Sequence, residues 1–302
     1  MTDGTTTHAW SSSGELNRSA LKRAHRHEDA GLFALSVPGI VLLVLALVLP
    51  IGVMFCLSFV GEDGFFSFEN YIRIFESPVY GHIFSLTFTV ALVTTSIVVL
   101  AGYPLAYFLT QLPGRAATIG MFGILMPFWT AVLVRTYAWL VLLQNRGIVN
   151  NVLIHFGVIK EPLALANNVT GTLIGMVHVM LPFLVLPLYA SMKAVDPNLM
   201  SAASNLGAKP MRGFWDVFFP LSLPGLFSGA LLVFVLCLGF YVTPAVLGGG
   251  RVIMVAMRID ENVRLYSSWG AASALGVTLV VLTSALLALA YWISRQGGRR
   301  FQ

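Results

Sequence analysis

Residues 195–225 read VDPNLMSAASNLGAKPMRGFWDVFFPLSLPG, a connection too long for a simple turn and built from helix start and stop signals. Asp196 suits a helix cap and Pro197 the first helical position. Leu199, Ala202, Ala203 and Leu206 then recur at i, i+3, i+4 and i+7, and Gly207 stands where a left-handed terminator belongs. The spacing predicts an amphipathic helix of about ten residues, ~15 Å long. Pro210 offers a second start, and Met211, Phe214, Trp215 and Phe218 repeat the spacing until Pro220, where a second short helix is expected to end. Two short helices then meet at a glycine-containing elbow. The first carries a small-residue apolar stripe fit to press into a groove of another protein, the second an aromatic stripe suited to a bundle or interface. An amphipathic loop lying on lipid has the same spacing, and spacing alone does not choose between the two.

What flanks this connection is apolar. The chain has 302 residues, 57% hydrophobic and 10% charged, with a mean hydropathy of +0.82. Soluble domains carry about 25% charged residues, so a water-soluble globule is excluded. Apolar runs at 32–60, 82–110, 118–143, 171–192, 221–247 and 271–293 are each long enough to cross a bilayer. The reading is an all-α membrane protein of six transmembrane helices. Pro38, Pro50, Pro104, Pro127, Pro182, Pro187 and Pro244 interrupt the runs, so kinked helices are expected. Residues 1–31 read as a disordered tail rather than a signal peptide, because the following run is long and ends in FVGEDG. Residues 32–294 form the membrane domain, with the 193–220 connection inside it, and 295–302 a second tail. No repeat of fixed period is visible. Cys56 and Cys237 each sit in an apolar run without paired spacing and read as small packing residues.

Placement of basic residues predicts the orientation. Four Lys and Arg lie in the first tail, one in the 111–117 link, three in 193–220 and three after Ser294, eleven on one side; Arg73, Arg146, Lys160, Arg251, Arg258 and Arg264 make six on the other. The richer side is cytoplasmic by the positive-inside rule, which puts both termini and the 193–220 connection there. The three arginines of the 248–270 loop weaken that bias.

At this point the sequence resembles a known family, the inner-membrane permease subunits of binding-protein-dependent ABC importers. Their cytoplasmic signature is EAA, three residues, Gly, nine residues, I-x-L-P, and this chain reads SAA-SNL-G-AKPMRGFWD-VFFP. Ala202, Ala203, Gly207 and Pro220 match, Val217 stands for the Ile, Ser201 for the Glu and Phe219 for the Leu. GYPLAYFL at 102–109, PFWTAVLVRTYAWLVLL at 127–143 and GFYVTPAVLGGGRVIM at 239–254 are similar to the spermidine/putrescine permease group, B-type subunit. The resemblance implies a type I importer fold in the bacterial inner membrane, and a coupling helix contacting an ATPase through Asp196, Leu199, Ser201, Ala202, Ala203, Leu206, Gly207, Val217 and Pro220. It also implies a homologous second permease chain, two ATPase subunits and a soluble periplasmic or extracellular receptor that holds most of the specificity.

The residues themselves add constraints. None of the four lysines follows a glycine, so no phosphate-binding loop exists and the chain carries no cofactor. ATP and Mg then belong to partner ATPase subunits, which makes 197–206 the transmission element. The six runs hold no Asp or Glu, which argues against proton-driven transport and leaves aromatic faces, carbonyls and proline-broken helices to hold a cationic cargo. Trp129, Tyr137, Trp139, Phe240 and Tyr241 are candidates to line the path, against packing or an interfacial belt. Phe240 and Tyr241 stand out because they precede Pro244 and LGGG. Arg135 is the one charge well inside a run, ~26 Å along its span by helical rise. It snorkels, bridges helices or lines the path; in the last case an anionic or zwitterionic cargo is favoured over a polyamine. His178 reads as a packing residue rather than a metal ligand, and no metal site is expected. Residues 251–270 have helical spacing, with Asp260 and Glu261 placed to meet basic residues of a receptor. Other cargoes remain open, among them an amino acid, an opine or an anionic solute. An ATP-independent carrier or channel leaves the 195–225 helices without a task. A membrane hydrolase lacks any motif framing Ser228 and His178.

Overall fold

The computed structural model describes residues 36–61 and 63–298. The tail predicted over 1–31, the first residues of the predicted membrane domain (32–35), Glu62 and residues 299–302 lie outside them. The chain divides between Cys56 and Leu57 into two compact units. The described part of the first is the helix α1, Ser36–Leu57, taken up to Cys56. Its side chains are exposed, Cys56 among them.

The second unit is built on long helices. α2 (Glu69–Glu76) leads into α3 (Pro78–Gln111), which starts on a proline whose missing N–H costs nothing in a first turn. At 34 residues α3 is ~51 Å long, more than a hydrocarbon core requires. α7 (Val169–Lys193) begins where the Asn168 side chain accepts from the Gly171 N–H at 2.9 Å. α10 (Phe219–Leu238) and α13 (Trp269–Gly298) complete the long set, and the shorter α4 to α6, α8, α9, α11 and α12 are placed below. α13 runs on through 295–298, so the helix extends into the expected tail.

α3, α7 and α10 form the centre. Val90, Val98, Met176, Met180, Leu184, Val233 and Cys237 are buried there, with Cys237 in the packing role its setting suggests. Lipid is as apolar as these side chains, so close fit rather than water exclusion holds the three helices together. Small residues allow that fit: a Cβ on Gly229 would stand 3.0 Å from Leu184 Cδ1, and one on Gly225 would collide with the Ser191 side chain.

Two apolar runs expected as single spans are broken. The 118–143 run is α4 (Gly114–Leu125), a 3-10 turn Met126–Trp129 and α5 (Val132–Leu143), and the two helical halves, extended by α6 (Ile148–His155), are bent by 98°. Pro127 has no N–H to continue the ladder, and Thr130 and Ala131 turn extended with the Thr130 hydroxyl on the Pro127 carbonyl at 2.9 Å. The straight-helix depth expected for Arg135 therefore does not hold. The 221–247 run ends at Leu238, turns through Gly239–Tyr241 and resumes as α11 (Val242–Leu247). Pro244 removes the N–H that would have bonded across the turn, and Gly239 is a poor helix former. Among the described residues, five helices are long and apolar enough to span, and six if the bent pair is one.

Candidate functional site

The 193–220 connection is held by local chemistry. α8 (Pro197–Asn205) is capped by Asp196, whose carboxylate accepts from the Asn198 N–H at 2.9 Å. Gly207 has φ +85°, and around it the Ala208 N–H bonds the Ala203 carbonyl at 3.0 Å and the Gly207 N–H the Ser204 carbonyl at 2.9 Å. Those paired bonds with a left-handed glycine form a Schellman stop, the terminator the sequence predicts. α9 (Pro210–Gly213) starts where expected, but Pro220 does not end it. The chain runs through a π-helical turn, Phe214–Phe218, straight into α10. A π-turn shifts bonding to i→i+5, which accommodates a proline that cannot donate; the expected second short helix is therefore the first part of a span.

An aromatic cluster ties this junction to α3. Tyr107 meets Phe214 and Phe218 edge-on, both at 5.2 Å between ring centroids, and Tyr103 lies 5.6 Å from Phe219 while its hydroxyl is 2.9 Å from Ser222 Oγ. α8 is seated by Met200, which packs with Met192, Phe214 and Phe218. The predicted stripe turns the other way: Leu199 is 43% and Leu206 89% exposed, with Ser201 and Ala202 exposed and Ala203 half-buried. Val217 is half-buried on the π-turn and Pro220 exposed. A short, well-capped helix thus shows its small apolar face to whatever lies beyond this chain. Sequence reading missed Met200 because its neighbour Leu199 fits the i, i+3, i+4 pattern and Met200 does not.

The pathway candidates fall on the two breaks. Trp129 is 74% exposed with its ring edge on Phe122, and Tyr137 is 55% exposed. Arg135, half-buried, holds its guanidinium 5.9 Å over the Phe128 ring, and its Nε and Nη1 are buried without a hydrogen-bond partner. Phe240 packs against the central core, while Tyr241 is partly exposed. The breaks meet: buried Thr136 of α5 and Thr243 of α11 place their hydroxyls 3.4 Å apart, so Arg135 and Tyr137 stand on a helix packed beside the one that Phe240 and Tyr241 introduce. Trp139 turns to α7 instead, donating from Nε1 to His178 Nδ1 at 3.2 Å, which gives His178 the packing role its isolation suggests. No sequence signal points to the Thr136–Thr243 contact, 107 residues apart.

At the opposite end of α3 from the aromatic cluster, α12 (Val255–Arg264) is fixed by its first N–H, which donates to Thr87 Oγ1 at 3.0 Å. Asp260 accepts from Tyr241 at 3.1 Å and from Arg264 at 2.6 Å, and Glu261 accepts from Arg258 at 2.8 Å. Both carboxylates have internal partners, and a basic group from outside would compete with pairs worth ~0.5 kcal/mol when exposed. The bond to Glu261 holds the Arg258 guanidinium above its ordinary pKa.

No family model matches the chain. It is 31% identical over 266 residues to the spermidine/putrescine transport system permease protein PotB of Haemophilus influenzae, covering 86% of this chain and 93% of that protein. With PotB of Escherichia coli it shares 32% over 227 residues, 75% and 82% of the two chains. A crystal structure of a bacterial alginate ABC transporter in complex with a pentasaccharide-bound periplasmic protein has the same fold, with a TM-score of 0.71 at 16% identity over 89% of this chain and 95% of that one. The capped helix on the 193–220 connection, the broken spans and a likeness that runs nearly the full length of PotB lead to one conclusion: the chain belongs to the PotB group of permease subunits of binding-protein-dependent ABC importers.

Proposed function

We propose that this transport subunit forms half of a translocation path for a polyamine of the spermidine or putrescine type, and that α8 couples it to a separate ATPase. The observation that carries the coupling is the outward face of α8: Leu199, Ala202 and Leu206 are exposed while Met200 anchors the helix to the bundle. A capped rod with a Schellman stop moves as one piece, so a push on it reaches α10 through the π-turn and α3 through the Tyr107–Phe214 contact. The cargo reading rests on the relatives' names; with no carboxylate in the apolar runs, aromatic faces, carbonyls and proline-broken helices are the groups left to hold an amine.

The assembly that fits has a homologous second permease chain, two ATPase subunits that bind ATP and Mg, and a soluble periplasmic receptor. In this reading both termini, with the tails at 1–31 and 295–302, share the cytoplasmic side of the inner membrane with 193–220, and Asp260 and Glu261 face the receptor. The test is uptake of spermidine by the reconstituted assembly. ATP- and receptor-dependent uptake supports the reading; uptake without ATP, or a stable lone chain that conducts ions, refutes it.

Arg135 favours a second reading of the cargo. Two of its N–H groups are buried and unpaired next to the helix breaks, and an anionic or zwitterionic solute would supply the missing acceptors. Under this reading Arg135→Ala lowers uptake of an anionic cargo at least tenfold and leaves spermidine uptake within about twofold. Equal effects on both would remove it.

A further inference from the structure

A cavity of about 640 Å³ lies at the end of the second unit where α3 and α13 begin, lined among others by Arg73, Tyr80, Arg258, Asn262, Tyr266 and Trp269. Asn262 is only 5% exposed, yet its Nδ2 has no hydrogen-bond partner, and the buried Nε of Arg258 has none either. The two residues are four apart on α12, so they share one helix face, and both line the one cavity. Buried N–H groups left unmade are costly and rare, and two of them side by side call for a ligand that accepts. The charged residues lining the cavity are both arginines. Among the described residues, Glu261 beside the cavity bonds Arg258 Nη1, Glu69 holds its Oε2 close to Gly61 at the rim, and Asp260 is taken by Tyr241 and Arg264. The Arg258 guanidinium is held between aromatic faces, 6.0 Å from the Tyr80 ring centroid and 5.9 Å from that of Tyr266, which fixes its position while Nε stays open.

The level of the cavity narrows the ligand. Tyr80 lies in the first turn of α3 and Trp269 is the first residue of α13, and both line it, so it stands where two apolar spans give way to polar surroundings. Phosphates of lipid headgroups occupy that level, and tryptophan marks it. A tetrahedral phosphate presents several acceptor oxygens and so can accept from both Arg258 and Asn262, which stand on successive turns of one face. We infer that this cavity is a phosphate-binding site, filled by the headgroup of an anionic phospholipid or by free phosphate, with Arg258 and Asn262 as its donors.

The experiment uses the full-length chain with its co-expressed partners and two variants, Asn262→Asp, which keeps the side-chain shape but replaces the donor with a repelling acceptor, and Asn262→Leu. Retained lipid is counted by native mass spectrometry after transfer from nanodiscs of phosphatidylcholine and phosphatidylglycerol, and thermal stability is followed in lipid-stripped detergent with inorganic phosphate. The expected result is at least tenfold less retained phosphatidylglycerol in Asn262→Asp than in wild type, with Arg146→Gln as an unchanged charge control. Stabilisation of wild type alone by inorganic phosphate, without a lipid preference, assigns the site to free phosphate. Equal lipid retention in all variants with no response to phosphate overturns the proposal. So does a loss of receptor-dependent uptake in the Asn262 variants with phosphate and lipid binding unchanged, which would make the cavity a seat for an acidic side chain of the receptor.

Discussion

Glycine and proline break the helices of this chain at 126–131, 205–210 and 239–241, and the freed backbone groups find their partners differently. At 205–210 the partners are local: the Ser204 and Ala203 carbonyls are taken up three and five residues on, and Pro210 restarts the chain at once. At 126–131 and 239–241 the local hydrogen bonds end the helices, but what fixes the two broken pieces is distant: Thr136 against Thr243, and Thr243 with Leu247 against Gly175 of α7. The first kind of break leaves a short helix held by its own caps, which the proposed coupling role uses as a lever. The second produces a joint, whose shape depends on the packing around it and can change when that packing shifts.

The largest effect is expected where the joint has no slack. A Cβ on Gly175 would stand 2.5 Å from Leu247 Cδ1 and 2.7 Å from Thr243 Cγ2, so Gly175→Leu forces α11 away from α7 at a cost of ~3 kcal/mol. The expected outcome is a large drop in folded yield and melting temperature in detergent; an unchanged melt would show that α11 is not held by this packing. Gly207→Val comes next. A β-branched residue at φ +85° is strained by about 1–3 kcal/mol, and the site is exposed with nothing in the way, so the chain should still fold while receptor-stimulated ATP hydrolysis falls more than tenfold. Gly207→Asn, which tolerates the left-handed region, should keep most of the activity. Smallest is Asp196→Ala, which removes one cap bond worth ~1 kcal/mol. Faster hydrogen exchange in α8 with little change in global stability is the expected reading, and equal exchange would mean the helix does not depend on its cap.

The same contrast explains what the sequence reveals. α8 was legible because capping, a proline at the first position, and a left-handed glycine are short-range chemistry written in adjacent residues. The long spans were legible because ~20 apolar residues in a row have few other fates. The breaks were not legible: Pro104, Pro182 and Pro187 sit inside continuous helices, whereas Pro127 and Pro244 stand at breaks. A proline only frees a carbonyl, and whether the helix bends or stops depends on neighbours that periodicity does not reveal, since in a uniformly apolar run every face looks alike. Pro220 misled in the opposite sense, because a π-turn absorbs it. Of the site, the capped lever and its exposed stripe could be read residue by residue, but its anchor Met200 and the pairing of the two breaks could not, because both depend on contacts far apart in the chain.

The central claim is that α8 transmits the motion of a partner ATPase. It is tested most directly by Ser201→Cys and Ala202→Cys, each in a background with Cys56 and Cys237 replaced by alanine, crosslinked in the assembled importer with and without ATP. The account predicts crosslinks from both positions to the ATPase subunit, with an efficiency that changes when ATP is bound. Capture of a lipid-soluble probe alone at both positions, with no ATPase adduct in either state, would contradict it.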